Sequence, residues 1–481
     1  MPWQFMTFVT VVGIVWLFAL DRDKHVRTSA ALWIPVAWMF INCSRSVTGW
    51  LGVFGLGSPF PQGDQAQTYL EGSPIDGSVF IFLFVAGVVV LVGRTQRIRP
   101  LFPKMGPILL FYSYCAISIL WSAYPFVALK HWVKGVGDVV MVLIVLTDPD
   151  PAAALKRLFS RVGFVLIPLS VLFIKYIPNL GRGYTAGGAP MYSGVTTQKN
   201  SLGVLCLVFG LGSLWRFLAA YRDKETARRT QILVAHGTIL VMVLWLLHVC
   251  DSMTSFSCLI MAGAVMVLTS KPTIVRKARV AHLLVAATLC LSVFALFFDS
   301  GGGLLENMGR NSTLTGRTAI WDGALRVAGN PLIGTGYESF WLGERLQRFW
   351  TLEDGAFLGI NEAHNGYLEL YLNLGWIGVA LLAGLMIWGY PKVIATLRED
   401  PNAGSLGLAY FAATLAYNFT EAGFRMMFPL WIFFLLAIIG VPKTPVSERP
   451  ATVGSYPADR YATSKLGSGY ALDPGFRKEA R

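Results

Sequence analysis

His364 and Asn365 stand side by side just before an apolar run, in NEAHNGYLELYLNLGWIG (361–378). Nine residues separate Asn365 from Gly375, and Gly378 follows. An imidazole titrates near neutral pH, so a histidine here can take a proton from a hydroxyl or donate to a phosphate. A histidine at a membrane surface is also an ordinary amphipathic anchor, so its company decides. Upstream, TLTGRTAIWDGALRVAGNPLIGTG (313–336) carries helix signals, with Thr315 or Thr318 as cap and Asn330-Pro331 as stop. Arg317 then lies at the positive end of the helix dipole, where a cation is disfavoured and a bound phosphate would resolve the conflict. Trp321, four residues on, shares that face and can pack under a sugar or the guanidinium. The alternative is an ordinary loop helix with one awkward arginine.

Other candidates flank this pair. Gly181-Arg182-Gly183 and Gln198-Lys199-Asn200 place Arg182, Lys199 and Asn200 near an apolar run, and glycines let backbone approach a ligand closely. Glu421 and Arg425 have i,i+4 spacing, so they either pair with each other in a helical turn or face a ligand. The D-x-D patterns Asp21-Arg22-Asp23 and Asp148-Pro149-Asp150 fall in short basic turns, which argues against a metal-bound sugar-nucleotide site. The 6 cysteines lie in or beside apolar runs with no C-x-x-C, and read as small core residues.

The elements that must position these residues are membrane helices. Of the 481 residues, 54% are hydrophobic and 14% charged, where a soluble domain carries about a quarter charged. Mean hydropathy is +0.55. Apolar runs lie near 4–20, 29–44, 78–93, 105–123, 135–147, 160–175, 201–220, 232–250, 253–269, 280–298, 367–388, 405–420 and 427–441. The expected fold is an all-α polytopic membrane protein of about 12–13 spans, twelve if one short pair is re-entrant. The first run has no basic leader and no small-residue cleavage site, and reads as a helix.

Basic segments such as DRDKHVR, RTQRIRP, YRDKETARR and SKPTIVRKAR occupy every second connection. The net charge of +13 therefore follows topology, with these connections inside, rather than nucleic-acid binding. The chain divides into ten helices over 1–298, with outward loops near 45–77 and 176–200. A large outward loop (299–366), three last helices (367–441) and a disordered cytoplasmic tail (442–481) follow. In a bacterium, outward means the periplasm. Ionisable residues crowd span ends and no internal repeat is evident, which disfavours a transporter. A non-enzymatic scaffold would leave the arginine-rich outer loop unexplained.

TGRTAIW, NPLIGTGYESF and AHNGYLELYLNLGWIG resemble the O-antigen ligase/polymerase family of bacterial inner membranes. The family's ligase signature is His, then Asn, Ser or Gln, then nine residues and G-x-x-G, which His364, Asn365, Gly375 and Gly378 match. GRGYTAGG and QKNSLG resemble the family's outward loop. WSAYPFVALKHWVKGVGD and the QKN loop look closest to exopolysaccharide polymerases of the succinoglycan type. The resemblance implies a glycosyltransferase with its site facing the periplasm and a saccharide on undecaprenyl diphosphate as donor. Neither cofactor nor metal is expected. Arg317, with Arg182, Lys199 or Arg425, would hold the diphosphate. His364 would act as general base or as a further phosphate donor. Asn200, Trp321, Asn365 and Glu421 would line the substrate site. The expected reaction is polymerisation of lipid-linked repeats. Ligation of the finished chain to lipid A core is the alternative, and a polysaccharide or lipid-linked sugar transporter a further one. Expected partners are the lipid-linked oligosaccharide, the bilayer, and flippase and chain-length regulator proteins.

Overall fold

A computed structural model describes residues 3–22, 28–56, 72–184, 188, 190–225, 228–270, 278–299 and 313–440. Much of the expected loop at 45–77, the start of the loop at 299–366 and the tail at 442–481 lie outside the described residues.

The chain is an all-α polytopic membrane protein. Its main helices are α1 (Trp3–Leu20), α2 (Trp33–Asn42), α3 (Pro74–Val92), α4 (Gly106–Ile117), α5 (Pro125–Leu146) and α6 (Pro151–Tyr176). They continue with α7 (Lys199–Arg222), α8 (Arg229–Cys250), α9 (Met253–Thr269), α10 (Ala278–Asp299), α11 (Thr313–Arg326) and α12 (Gly343–Trp350). The last three are α13 (Gly366–Glu399), α14 (Pro401–Tyr417) and α15 (Pro429–Ile439). Among the described residues, 6 helices are long and apolar enough to cross a membrane by length and composition, and further apolar helices are shorter. The strands among these residues are a short antiparallel pair, β1 (Arg182–Tyr184) and β2 (Pro190–Tyr192), inside the loop expected at 176–200.

The apolar run at 135–147 is the end of a longer helix that begins at Pro125. Lys130, Lys134 and Asp138 interrupt its hydropathy without breaking it. Lys134 lies over the Phe80 ring, and Asp138 accepts the Trp38 indole N–H at 2.8 Å.

The most completely buried helices are α6, α7, α14 and α15. Every residue of α15 is buried. Phe433 stacks on Phe159 and Tyr410, with ring centroids 5.0 Å and 4.8 Å apart. A Cβ on Gly212 would meet the Phe159 ring at 2.5 Å, so this glycine lets α7 approach α6 closely. Small residues serve this purpose where lipid supplies no hydrophobic drive between helices. By contrast α1 and α3 expose Phe8, Val15, Phe82 and Val89, the expected surface for acyl chains. Five of the six cysteines are buried and all are free thiols; Cys290 is exposed.

One helix is broken for a reason the sequence states. At Gly375, inside α13, φ is 63° and ψ is −167°. A Cβ there would lie 2.3 Å from the Leu332 carbonyl carbon. The segment Asn330–Gly336 inserts into the break. Trp376 N donates to Pro331 O (2.9 Å) and Ile377 N to Leu332 O (3.1 Å). Thr335 N donates to Leu372 O (3.2 Å) and Asn373 O (3.0 Å), Gly336 N to Asn373 O (2.8 Å), and the Tyr114 hydroxyl to Leu374 O (3.0 Å). The interrupted helix thus regains partners for the groups it orphans, as an apolar surrounding demands. A second small core of Ile320, Phe340, Leu346, Phe349, Phe357 and Leu372 ties residues 320–357 to the start of α13.

Candidate functional site

Four separate segments of the chain meet at one carboxylate. Glu421 lies in the turn between α14 and α15, with a side chain 7% exposed. Its Oε1 accepts Arg317 Nη2 at 3.0 Å and Asn200 Nδ2 at 3.1 Å. Its Oε2 lies 3.2 Å from His364 Nδ1. Arg317 comes from α11, Asn200 from the first turn of α7, and His364 from the residues before α13. A second carboxylate joins them: Glu362 Oε1 is 3.2 Å from the same His364 nitrogen, and Glu362 Oε2 accepts Arg425 Nη1 at 3.3 Å.

Local structure makes this meeting unavoidable. His364 has φ 49°, a left-handed conformation costing a non-glycine residue roughly 1 kcal/mol or more. That turn lets Asn365 cap α13, its Oδ1 accepting Tyr367 N (3.0 Å) and Leu368 N (3.1 Å). Gly366 N then donates to both Asn418 O (2.9 Å) and Glu421 O (3.0 Å). A Cβ at Gly366 would meet Asn418 Oδ1 at 1.8 Å, so the start of α13 docks directly on the end of α14. Trp321 Nε1 donates to Ala363 O (2.7 Å), which fixes α11, and with it Arg317, beside His364. The Glu369 carboxylate accepts Trp341 Nε1 (2.9 Å and 2.8 Å) and Ala363 N (2.5 Å), bracing the residue before His364. The turn 418–428 is pinned from behind, where Met426 N donates to Glu338 Oε1 (3.3 Å) and Met427 N to Asp138 Oδ2 (2.7 Å). A small cleft, lined by Glu338, Trp341, Glu369, Asn373 and Arg425 together with Leu370, Leu374 and Phe424, opens beside this turn.

The electrostatics favour a charged imidazole. Burial alone would lower the His364 pKa. The Glu421 hydrogen bond and the charges of Glu362 and Glu421 outweigh burial and the opposing charge of Arg317, so the value rises above 6.5. Nδ1 faces two acceptors and therefore carries a hydrogen, which leaves Nε2 as the atom available for chemistry. Glu338 is raised by burial, against Arg425, the Met426 amide and Lys134. Glu362, His364 and Glu421 bring their ligand-capable atoms within 4.8 Å of one another. Both carboxylates, however, already pair with arginines, so a cation would have to displace two guanidinium contacts.

The candidate residues fall into two groups. Arg317, His364, Asn200 and Glu421 converge, with Asn365 and Trp321 shaping their supports and Arg425 joined through Glu362. Glu421 and Arg425 bond elsewhere rather than to each other: the turn is not helical, and each side chain finds a partner on another element. Arg182 donates to Ile174 O (2.8 Å) and lies over the Tyr192 ring, contacts that hold the hairpin. Lys199 precedes Asn200 at the same helix end. Glu362, Glu338 and Asp138 join the site without a motif to mark them. Glu362 sits two residues from His364 in NEAHN, and that adjacency is the signal the sequence offers for it.

Comparison with known proteins falls on this same region. Residues 226–383 match the O-antigen ligase family model, which spans Arg317, Glu362, His364 and both signature glycines. The chain is 25% identical over 372 residues to exopolysaccharide production protein ExoQ of Rhizobium meliloti (strain 1021), covering 71% of this chain and 78% of that protein. It is 20% identical over 407 residues to a Rickettsia prowazekii (strain Madrid E) protein named "Putative polysaccharide ligase RP358", covering 78% of this chain and 94% of that one. This polytopic membrane protein carries an O-antigen ligase family domain.

Proposed function

We propose that this protein is a polysaccharide polymerase of the bacterial inner membrane. It joins undecaprenyl-diphosphate-linked repeat units on the periplasmic side by inverting, metal-independent glycosyl transfer. The observation that carries the reading is the placement of Arg317 and His364 on the two oxygens of one carboxylate. A phosphate-binding cation and a proton acceptor are thereby held a side chain apart. The similarity to an exopolysaccharide production protein supports the polymer reading.

The acceptor hydroxyl attacks the anomeric carbon as the bond from that carbon to the diphosphate oxygen breaks. The hydroxyl proton passes to His364 Nε2, and the lipid diphosphate leaves with the bonding electron pair. Arg317 meets the charge that develops on the leaving group, with Arg425 or Lys199 as a further cation for the diphosphate. Asn200, Asn365 and Trp321 line or support the substrate site.

A second reading, ligation of the finished chain to lipid A core, is favoured by the name of the matching family model and of the rickettsial relative. The lipid-linked saccharide profile of cells lacking the protein separates the two. Single repeat units accumulating on the lipid, with polymer gone, is the outcome expected of a polymerase. Long lipid-linked polymer with nothing on lipid A core would instead make it a ligase. Neither accumulating would overturn both.

A further inference from the structure

Glu421 sits where a substrate-binding carboxylate would be a poor choice. A diphosphate donor carries negative charge, and a buried carboxylate beside it would repel it. The bonds of Glu421 point to another task. One oxygen is engaged by Arg317 and Asn200, the other by His364, and its backbone carbonyl by Gly366 N. Among the described residues, no other side chain in the site binds both Arg317 and His364. Of the five side chains that form ion pairs here it is also the least exposed, at 7% against 21% for Arg317, 26% for His364, 24% for Glu362 and 42% for Arg425.

We infer that Glu421 is a positioning residue which sets the reactive tautomer and proton affinity of His364 and, through the same carboxylate, fixes the Arg317 fork toward the donor. The inference rests on the glycosyl-transfer reading for its chemistry, but its first link, Glu421 to His364, does not. By holding Nδ1–H, Glu421 directs the imidazole lone pair to Nε2 and makes that nitrogen a stronger base. By holding one Nη2 hydrogen of Arg317, it leaves the remaining guanidinium donors for an anion and removes the side-chain freedom an arginine would otherwise lose on binding. The charged groups facing His364 are Glu362, Glu421 and Arg317, with Arg425 acting through Glu362. Two carboxylates therefore share the imidazole: Glu362 links it to the more exposed Arg425, and Glu421, among the described residues, links it to Arg317.

The test uses the full chain in detergent or nanodiscs. The protein has 6 histidines. Labelled imidazoles are titrated by NMR, with the His364 signal assigned by its loss in His364→Gln. In Glu421→Gln, which keeps size and hydrogen-bonding capacity, the His364 midpoint is expected to fall, and Glu421→Asp to restore much of the difference. The acid limb of the rate profile should move to lower pH with it, and the maximal rate should drop by about tenfold to a hundredfold while donor KM changes less. An unmoved midpoint in a folded Glu421→Gln protein would overturn the inference. Inorganic pyrophosphate is the companion probe. The positioning role predicts that Glu421→Gln weakens its binding only a few-fold, through the freed Arg317 side chain, whereas Arg317→Ala loses it. A loss in Glu421→Gln as complete as that in Arg317→Ala would reassign the carboxylate to the ligand. Failure of the wild-type protein to bind pyrophosphate at all would strike the proposed function instead, and the imidazole titration would still decide the role of Glu421 by itself.

Discussion

Two carboxylates in this molecule gather nearly the same partners. Asp21, just past α1, accepts the Ser160 hydroxyl at 2.5 Å and Arg216 Nη2 at 2.8 Å, and lies 3.4 Å from His236 Nε2. Glu421 takes an asparagine, an arginine and a histidine in the same way. Both sets draw on α7, whose residues 200 and 216 stand about 24 Å apart at 1.5 Å per residue. The difference lies in closure. Ser160, Arg216 and His236 all project from helix interiors, and His236 is 1% exposed, with its Nδ1 buried and unpartnered. Burial alone would raise the Asp21 carboxyl, yet the His236 hydrogen bond and Arg216 outweigh it and hold it well below the usual range. Around Glu421 the partners come from near the starts of helices, one of them with a left-handed backbone, and a second carboxylate and arginine extend the set. Enclosed by helices, the arrangement is a staple. Left open at helix starts, it is fit for chemistry.

Exchanging the two sets of lesions sharpens that contrast. Arg317→Ala should have the largest effect: loss of product by about 10³-fold with the protein still folded, read as polymer per unit of membrane-inserted protein. Lysine at 317 should recover little, because a point charge cannot replace the fork. Asp21→Asn should do the reverse, removing about 2–4 kcal/mol of stability in a detergent melt while turnover per folded molecule stays near wild type. A catalytic collapse in Asp21→Asn with an intact melt would abolish the distinction drawn between the two clusters.

The pH dependence has a definite sign. The fold favours the protonated His364, so that charge stabilises the protein fully below the ordinary imidazole value, and the stabilisation is lost as pH rises through the raised midpoint. Melts across this window should therefore show a slope that His364→Gln removes. Activity runs the other way, because a base must be deprotonated, so turnover should rise across the same window with a midpoint above 6.5. The smallest expected effect is that of Asn365→Ala, about 1 kcal/mol from the lost cap of α13, with turnover falling only a few-fold. A loss as large as that of Arg317→Ala would mean that Asn365 touches substrate.

Much of this is legible in the residues. Apolar runs locate most helices, and the His-Asn pair with its two glycines marks the region where Arg317 and His364 meet. What the sequence hides is pairing across distance. Glu421 and Arg425 look like neighbours on a helix, but the turn they share is irregular, held by Glu338 and Asp138 from elsewhere in the chain. Those two acids show no pattern, since each serves a backbone N–H rather than a motif. Likewise, Asn330-Pro331 reads as a helix stop, and nothing local says that the residues after it fill a gap in α13.

That gap gives the spacing of the signature its meaning. From Gly366 to Leu374 the chain is a rigid helical arm, anchored at one end by the inserted strap and carrying His364 just beyond the other. Each residue of such an arm advances it by about 1.5 Å but turns it by about 100°. One residue more or fewer would hardly lengthen the reach. It would swing the imidazole to another face of the helix, away from both glutamates. The interval between the His-Asn pair and the glycine is therefore a phase, and the arm works less as a ruler than as a key cut to one angle.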